Sequence, residues 1–135
     1  MRGAIALGLA PAALLVAAAC APPPEKVGRS LYLDYCIDCH GRTAQGDGVL
    51  AAGLDRPVPD LTLIASRNGG TFDRAEVMST IDGYARAREG VIVMPEFGLD
   101  LQAGPLVLYD SGDGMPTPTP SKLVALAEYL ETLQR

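Results

Sequence analysis

A chain of 135 residues with a formal net charge of −5 has room for one domain and is too short for two ordinary ones. Its acidic balance argues against a nucleic-acid partner, because phosphate binding needs a basic surface. Two Phe, five Tyr and no Trp leave little aromatic bulk, so something other than large side chains is expected to fill the middle.

Residues 1–19 differ from the rest. Arg2 precedes an apolar run from Ala4 to Ala19, interrupted by Gly8 and Pro11, and Ala17-Ala18-Ala19 supplies small residues for cleavage. A short positive start, an apolar stretch and a small-residue site are the anatomy of a secretory signal. The run is short for a membrane span. The segment resembles a bacterial lipoprotein signal in which Cys20 is the lipidated residue, although Ala17 stands where that family prefers Leu. Ordinary cleavage nearby and an uncleaved anchor are the alternatives, and every reading places the domain beyond the inner membrane. Ala21-Pro22-Pro23-Pro24-Glu25 follows as an extended, solvated spacer, since prolines fix φ and cannot donate to a helix.

A helix is predicted over residues 28–39, with Ser30 as candidate N-cap and Leu31, Tyr32 and Tyr35 for its packed face. Residues 41–60 contain Gly46-Asp47-Gly48, Pro57 and Pro59 and read as a loop. Asp73 and Glu76 have capping-box spacing ahead of Val77, Met78 and Ile81, and Gly83 supplies a stop. The last helix is capped by Thr119 and opened by Pro120, and Leu123, Leu126, Ala127, Leu130 and Leu133 form its apolar stripe. The Gly- and Pro-rich stretch before it holds one candidate extended piece, Leu106-Val107-Leu108-Tyr109.

The chemistry sits in Cys36-Ile37-Asp38-Cys39-His40. Two cysteines three apart on a helical turn point the same way. They match the vinyl groups along one edge of a haem, to which thiols add as thioethers, and the next residue carries an imidazole under the ring. C-x-x-C-H is the attachment signature for c-type haem, and His40 is the single histidine of the chain. A thioredoxin-like pair needs a βαβ setting that the pattern around residue 36 does not supply. A structural zinc needs four ligands, and no second pair follows. A plain disulfide between Cys36 and Cys39 is the remaining alternative.

From about Gly28 to the C-terminus the chain resembles a class I bacterial cytochrome c. Gly28, Tyr32 and Cys36 look like that family's first helix, where a glycine allows close helix crossing, and Tyr129-Leu130 looks like the paired position on the last. Cys36, Cys39, His40 and Gly41 match its haem motif. Pro59-Asp60-Leu61 is similar to the segment whose proline carbonyl holds the histidine ring, and Met94-Pro95-Glu96-Phe97-Gly98 to its sixth-ligand loop. The resemblance implies an all-α class I cytochrome c fold, helices wrapped around one covalently bound haem c, with a Gly/Pro-rich insertion before the C-terminal helix. The organisation is then a signal peptide over 1–19, a lipid-anchor site and linker over 20–29, and a cytochrome c domain over 30–135.

A thioether on the far face of the iron would complete six-coordination and raise the reduction potential. Met94 is favoured by the Met-Pro-x-Phe-Gly loop, with Phe97 available against the haem; Met115, nearer the last helix, is the alternative, and Met78 reads as core. The Pro59 carbonyl is the expected acceptor for His40 Nδ1, with Pro57 as alternative. Tyr84 resembles a family tyrosine that hydrogen-bonds near the methionine sulfur, with ordinary packing as the other reading. Arg67 is a candidate partner for a haem propionate or else a solvated charge.

With both axial positions filled, the expected function is outer-sphere electron transfer on the periplasmic side, not catalysis on a bound molecule. Partners would be a protein donor and acceptor with a basic docking patch, and the membrane would be reached only through Cys20. A fixed haem subunit of a periplasmic dehydrogenase or reductase, and a gas-binding or sensory haem, are the rival expectations.

Overall fold

The computed structural model describes residues 22–84 and 94–135; the expected signal segment and Cys20 lie outside the described residues. Helix α1 spans Pro24–Tyr35 and starts earlier than the sequence pattern suggests. Pro24 occupies the first helical position, Pro23 the N-cap, and the Pro23 carbonyl accepts from Lys26 N at 3.0 Å. Proline suits this position because its fixed φ is already helical and its missing N–H would have had no intrahelical partner. Residues 24–29 therefore belong to α1 and not to a linker, and Ser30 lies inside the helix and does not cap it.

The helix kinks at Cys36 (φ −118°, ψ −26°) and resumes as α2, Ile37–His40. Cys36 N still donates to Tyr32 O, and His40 N to Cys36 O, both at 2.9 Å. Gly28, Tyr32, Cys36 and His40 fall at every fourth position and all are buried. Spacing of four places them along one face.

That face meets the C-terminal helix. A Cβ built on Gly28 would lie 1.9 Å from the carbonyl oxygen of Ala125 and 2.7 Å from Tyr129 Cβ, so only a glycine lets the two helices touch at backbone level. The Tyr32 and Tyr129 rings pack with centroids 5.6 Å apart, and the buried Tyr32 hydroxyl donates to Gly41 O at 2.6 Å. Burial, then the neighbouring Cys36 thiol, pushes the Tyr32 phenol well above its ordinary pKa, so it remains a donor.

The loop after α2 makes one 3-10 turn at Ala51–Gly53, and a second at Leu61–Leu63 leads into α3, Ile64–Arg67. α4, Arg74–Asp82, is capped as expected: Asp73 accepts from Glu76 N at 2.9 Å, and Gly83 ends it in the left-handed region (φ 99°). Its Val77, Met78 and Ile81 are buried, and Arg74 bridges to Glu131 of the last helix at 2.7 Å.

α5 spans Gly98–Gln102 and leads to a two-stranded antiparallel ribbon, β1 Leu106–Tyr109 against β2 Thr117–Pro120. The described residues are about half helical and carry a small two-stranded sheet that the all-α expectation did not include. Pro118 and Pro120 have no N–H, so Leu106↔Pro120 and Leu108↔Pro118 must be the non-hydrogen-bonded pairs of the ladder. Leu106, Leu108, Pro118 and Pro120 then share one face of the ribbon, while Tyr109 on the other face donates to Glu128 of the last helix at 2.5 Å. Because the ladder claims residues 117–120, the last helix, α6, begins at Ser121 and runs to Thr132, with Pro120 at its N-cap and no side-chain cap from Thr119. Its buried face is Leu123, Val124, Leu126, Ala127 and Leu130.

Gly28→Ala should destabilise the fold by roughly 2–3 kcal/mol, the cost of forcing a methyl into a closed contact. Thermal unfolding, followed by far-ultraviolet circular dichroism, checks it; an unchanged midpoint would show that the helix contact is looser than drawn here.

Candidate cofactor site

The four-residue helix α2 is held by the loop that follows it. Gly41 N donates to Ile37 O (2.9 Å), Leu50 N to Asp38 O (2.8 Å), Gly48 N to Cys39 O (3.1 Å) and Gly46 N to His40 O (2.9 Å). Every carbonyl of this short helix thus has a partner, where an ordinary helix end leaves its last four without one. The loop can come this close because Gly48 sits against the α2 backbone; a Cβ there would be 2.3 Å from Asp38 O. The Cys36–His40 turn is consequently pinned at both ends, by Tyr32 and α1 before it and by residues 41–50 after it.

Two apolar cavities open beside this turn. The smaller, about 220 Å³, is lined by Tyr32, Leu61, Ile64, Val77, Ile81, Leu126 and Leu130, with Arg67 and Glu76 among its polar walls. The larger, about 510 Å³, is lined by Tyr35, Leu50, Leu54, Pro57, Val58, Pro95 and Phe97, with Asp34, Asp38, Cys39 and Arg56. Cys36, His40, Pro59, Thr80 and Met94 line both. Protein interiors are close-packed and tolerate few voids larger than a water molecule, so cavities of this size in so small a domain mark a place shaped for a ligand.

Electrostatics at the shared wall suit a metal-binding imidazole. Burial lowers the His40 pKa below its ordinary value, and the acceptor carbonyl of Pro59 opposes that only in part. The ring is therefore neutral at pH 7 and has a lone pair to give. Its Nδ1 is buried without a hydrogen bond of normal geometry, although the Pro59 carbonyl is near enough to act on the ring. Burial, with Cys39 as the lesser cause, pushes the Cys36 thiol up to about 12. Neither Cys36 nor Cys39 is in a disulfide.

Met94 stands on the wall of both cavities, opposite in sequence to the cysteine turn, whereas Met115 is 66% exposed in the connection between β1 and β2 and lines neither. The structure brings Met94 to the site and leaves Met115 outside it. Pro59 lines both cavities, Pro57 and Phe97 the larger, and Arg67 the smaller. Tyr84 is 69% exposed and lines neither cavity. Met78 is core, as its stripe indicates. Sequence reasoning missed Tyr35, Thr80, Leu50, Leu54 and Val58 as walls. The 3.6-residue stripes of α4 and α6 flagged Val77, Ile81, Leu126 and Leu130 only as core.

Two thiols, a buried neutral imidazole with an orphaned nitrogen and a thioether, around mostly apolar walls, fit a covalently attached haem. Among the described residues no group of three His, Cys, Asp or Glu side chains converges. Among the described residues no helix is long and apolar enough to cross a membrane. Protein-family models, curated proteins and solved structures were compared with the chain, and none matches.

The Pro59 wall is tied to the chain end through Asp60. Its carboxylate accepts from Thr62 N (2.9 Å) and the Thr62 hydroxyl (2.5 Å), and pairs with Arg135 at 3.0 Å. The Thr62 hydrogen bond first, then Arg135, holds the Asp60 carboxyl below its ordinary value. A depressed folded pKa contributes stability that is present above the unfolded value near 3.8 and is lost as pH falls through the folded pKa. Asp60→Asn should therefore be less stable than the wild type at pH 7, with the difference shrinking below about pH 4. Urea midpoints at pH 7 and pH 3 check this; a gap as large at pH 3 as at pH 7 contradicts it.

Proposed function

We propose that this protein is a mono-haem cytochrome c of the class I type that carries one electron between protein partners outside the cytoplasm, tethered through Cys20. The observation that carries the reading is that Cys36, His40 and Met94 meet at the shared wall of two apolar cavities, with Cys39 beside them. Cys36 and Cys39 would hold the haem through thioether links, and His40 and Met94 would ligate its iron. The haem would supply a one-electron couple.

The remaining residues serve that couple. The Pro59 carbonyl lies beside the His40 ring and would orient it from outside the ligand set. Leu61, Ile64, Val77, Ile81, Leu126 and Leu130 keep water from one side of the site. Asp34 and Asp38, both exposed, stand on the rim of the larger cavity, and together with the net charge they favour a basic docking partner. Encounter rates should then fall as salt rises.

A second reading rests on the ribbon: Leu106 and Leu108 are 61% and 75% exposed on one face, as expected if this chain is a fixed subunit of a larger redox complex. Recovery in a stable complex, in place of a monomer, distinguishes that case.

A redox titration with absorption spectra of the mature protein tests the proposal. One reversible one-electron transition is expected, with a sulfur-to-iron band that disappears in Met94→Ala and persists in Met115→Ala. Rapid carbon monoxide binding by the reduced wild type would overturn it, since that requires an open sixth position.

A further inference from the structure

Tyr35 is the last residue of α1 and the immediate neighbour of Cys36. Its ring packs edge-on against Phe97, with centroids 5.7 Å apart and planes at 62°. Both rings line the larger cavity, as do Met94 and Pro95. We infer that Tyr35 is a positioning residue for the sixth ligand: its contact with Phe97 couples the cysteine turn to the 94–97 segment and keeps Met94 facing the cavity. The inference rests on the reading of Met94 as axial ligand.

The far end of that segment is already fixed. The Phe97 carbonyl accepts from Leu101 N at 2.9 Å, and Leu101 is 1% exposed in the core. Gln102 Nε2 donates to Asp82 Oδ1 at 2.9 Å, and Gly98 lies so close to α4 that a Cβ would be 2.7 Å from the same oxygen. From residue 97 onward the chain is thus bound to α4 and the core. The Tyr35 ring is a tie in the other direction, toward the helix that leads into Cys36 and His40. An edge-to-face pair of this geometry depends on the ring and not on the hydroxyl.

The test uses holoprotein carrying Tyr35→Ala, Tyr35→Phe or Phe97→Leu. Retention of pigment after denaturation is measured first; its absence in the wild type would mean the haem reading has failed, not the positioning role. With pigment retained, Tyr35→Ala and Phe97→Leu should each weaken the sulfur-to-iron band and speed carbon monoxide binding about two- to tenfold, the range an aromatic pair supplies. Hydrogen exchange of the 94–102 peptide should rise in the same variants. Tyr35→Phe should restore wild-type behaviour in all three. The inference is overturned if the alanine variant melts lower while its band and carbon monoxide rate stay as in the wild type. It is also overturned if Tyr35→Phe is as impaired as the alanine variant. Should Tyr35→Ala fail to fold, Tyr35→Leu, which keeps bulk but not the ring, decides by the same readouts.

Discussion

The backbone contact between Gly28 and the Ala125 carbonyl is the constraint on which the rest of the arrangement depends. It brings α1 against α6 without an intervening side chain, and so fixes the direction in which α1 runs on toward residue 36. Tyr32, one turn later, packs on Tyr129 and reaches past the helix end to hold Gly41. Cys36 and His40 follow at the next two positions of the same face. Three features that look separate in the chain (a glycine, a buried tyrosine and the Cys-x-x-Cys-His turn) are one continuous ridge aimed by a single helix crossing.

What that ridge faces explains the composition. The described core is built from aliphatic side chains of α4 and α6 with Tyr32 and Leu101, and it surrounds space instead of closing over it. Leu126 and Leu130 pack toward α1 and also border the smaller cavity. Under the proposed reading, the paucity of aromatic residues and the cavity volumes have one cause: a large flat group would supply the bulk that Phe and Trp supply elsewhere. The loop from Gly41 to Leu50 holds the cysteine turn, and the Asp60–Arg135 pair ties down the residue that follows Pro59.

Where local chemistry decides structure, the sequence is legible. Asp73 and Gly83 bound α4 because a carboxylate that accepts from the N3 amide and a residue free to enter the left-handed region are sufficient locally. Gly28 and Tyr129 face each other, as the resemblance to a family helix pair implies. The start of α1 is misread because three successive prolines look extended, yet Pro24 serves as the first helical residue once the chain packs on α6. The start of α6 shifts by one residue because Thr119 is taken up by the ladder with β1, a tertiary pairing no local rule anticipates. In the site, the cysteine turn, Pro59 and Met94 are marked by motif. Thr80, Leu54 and Val58 carry no motif, because a wall residue is defined only by which other elements fold against it. Tyr84 and Met115 show the converse: each lies in a suggestive sequence setting, and the fold leaves each exposed.

The central claim is covalent: one haem held by Cys36 and Cys39. Intact mass of the mature protein, made in a host competent for haem attachment and denatured in acid, tests it most directly. The account predicts a polypeptide heavier by one haem, and a bare polypeptide once both cysteines are replaced by alanine. A wild-type chain that emerges from acid without added mass would contradict it.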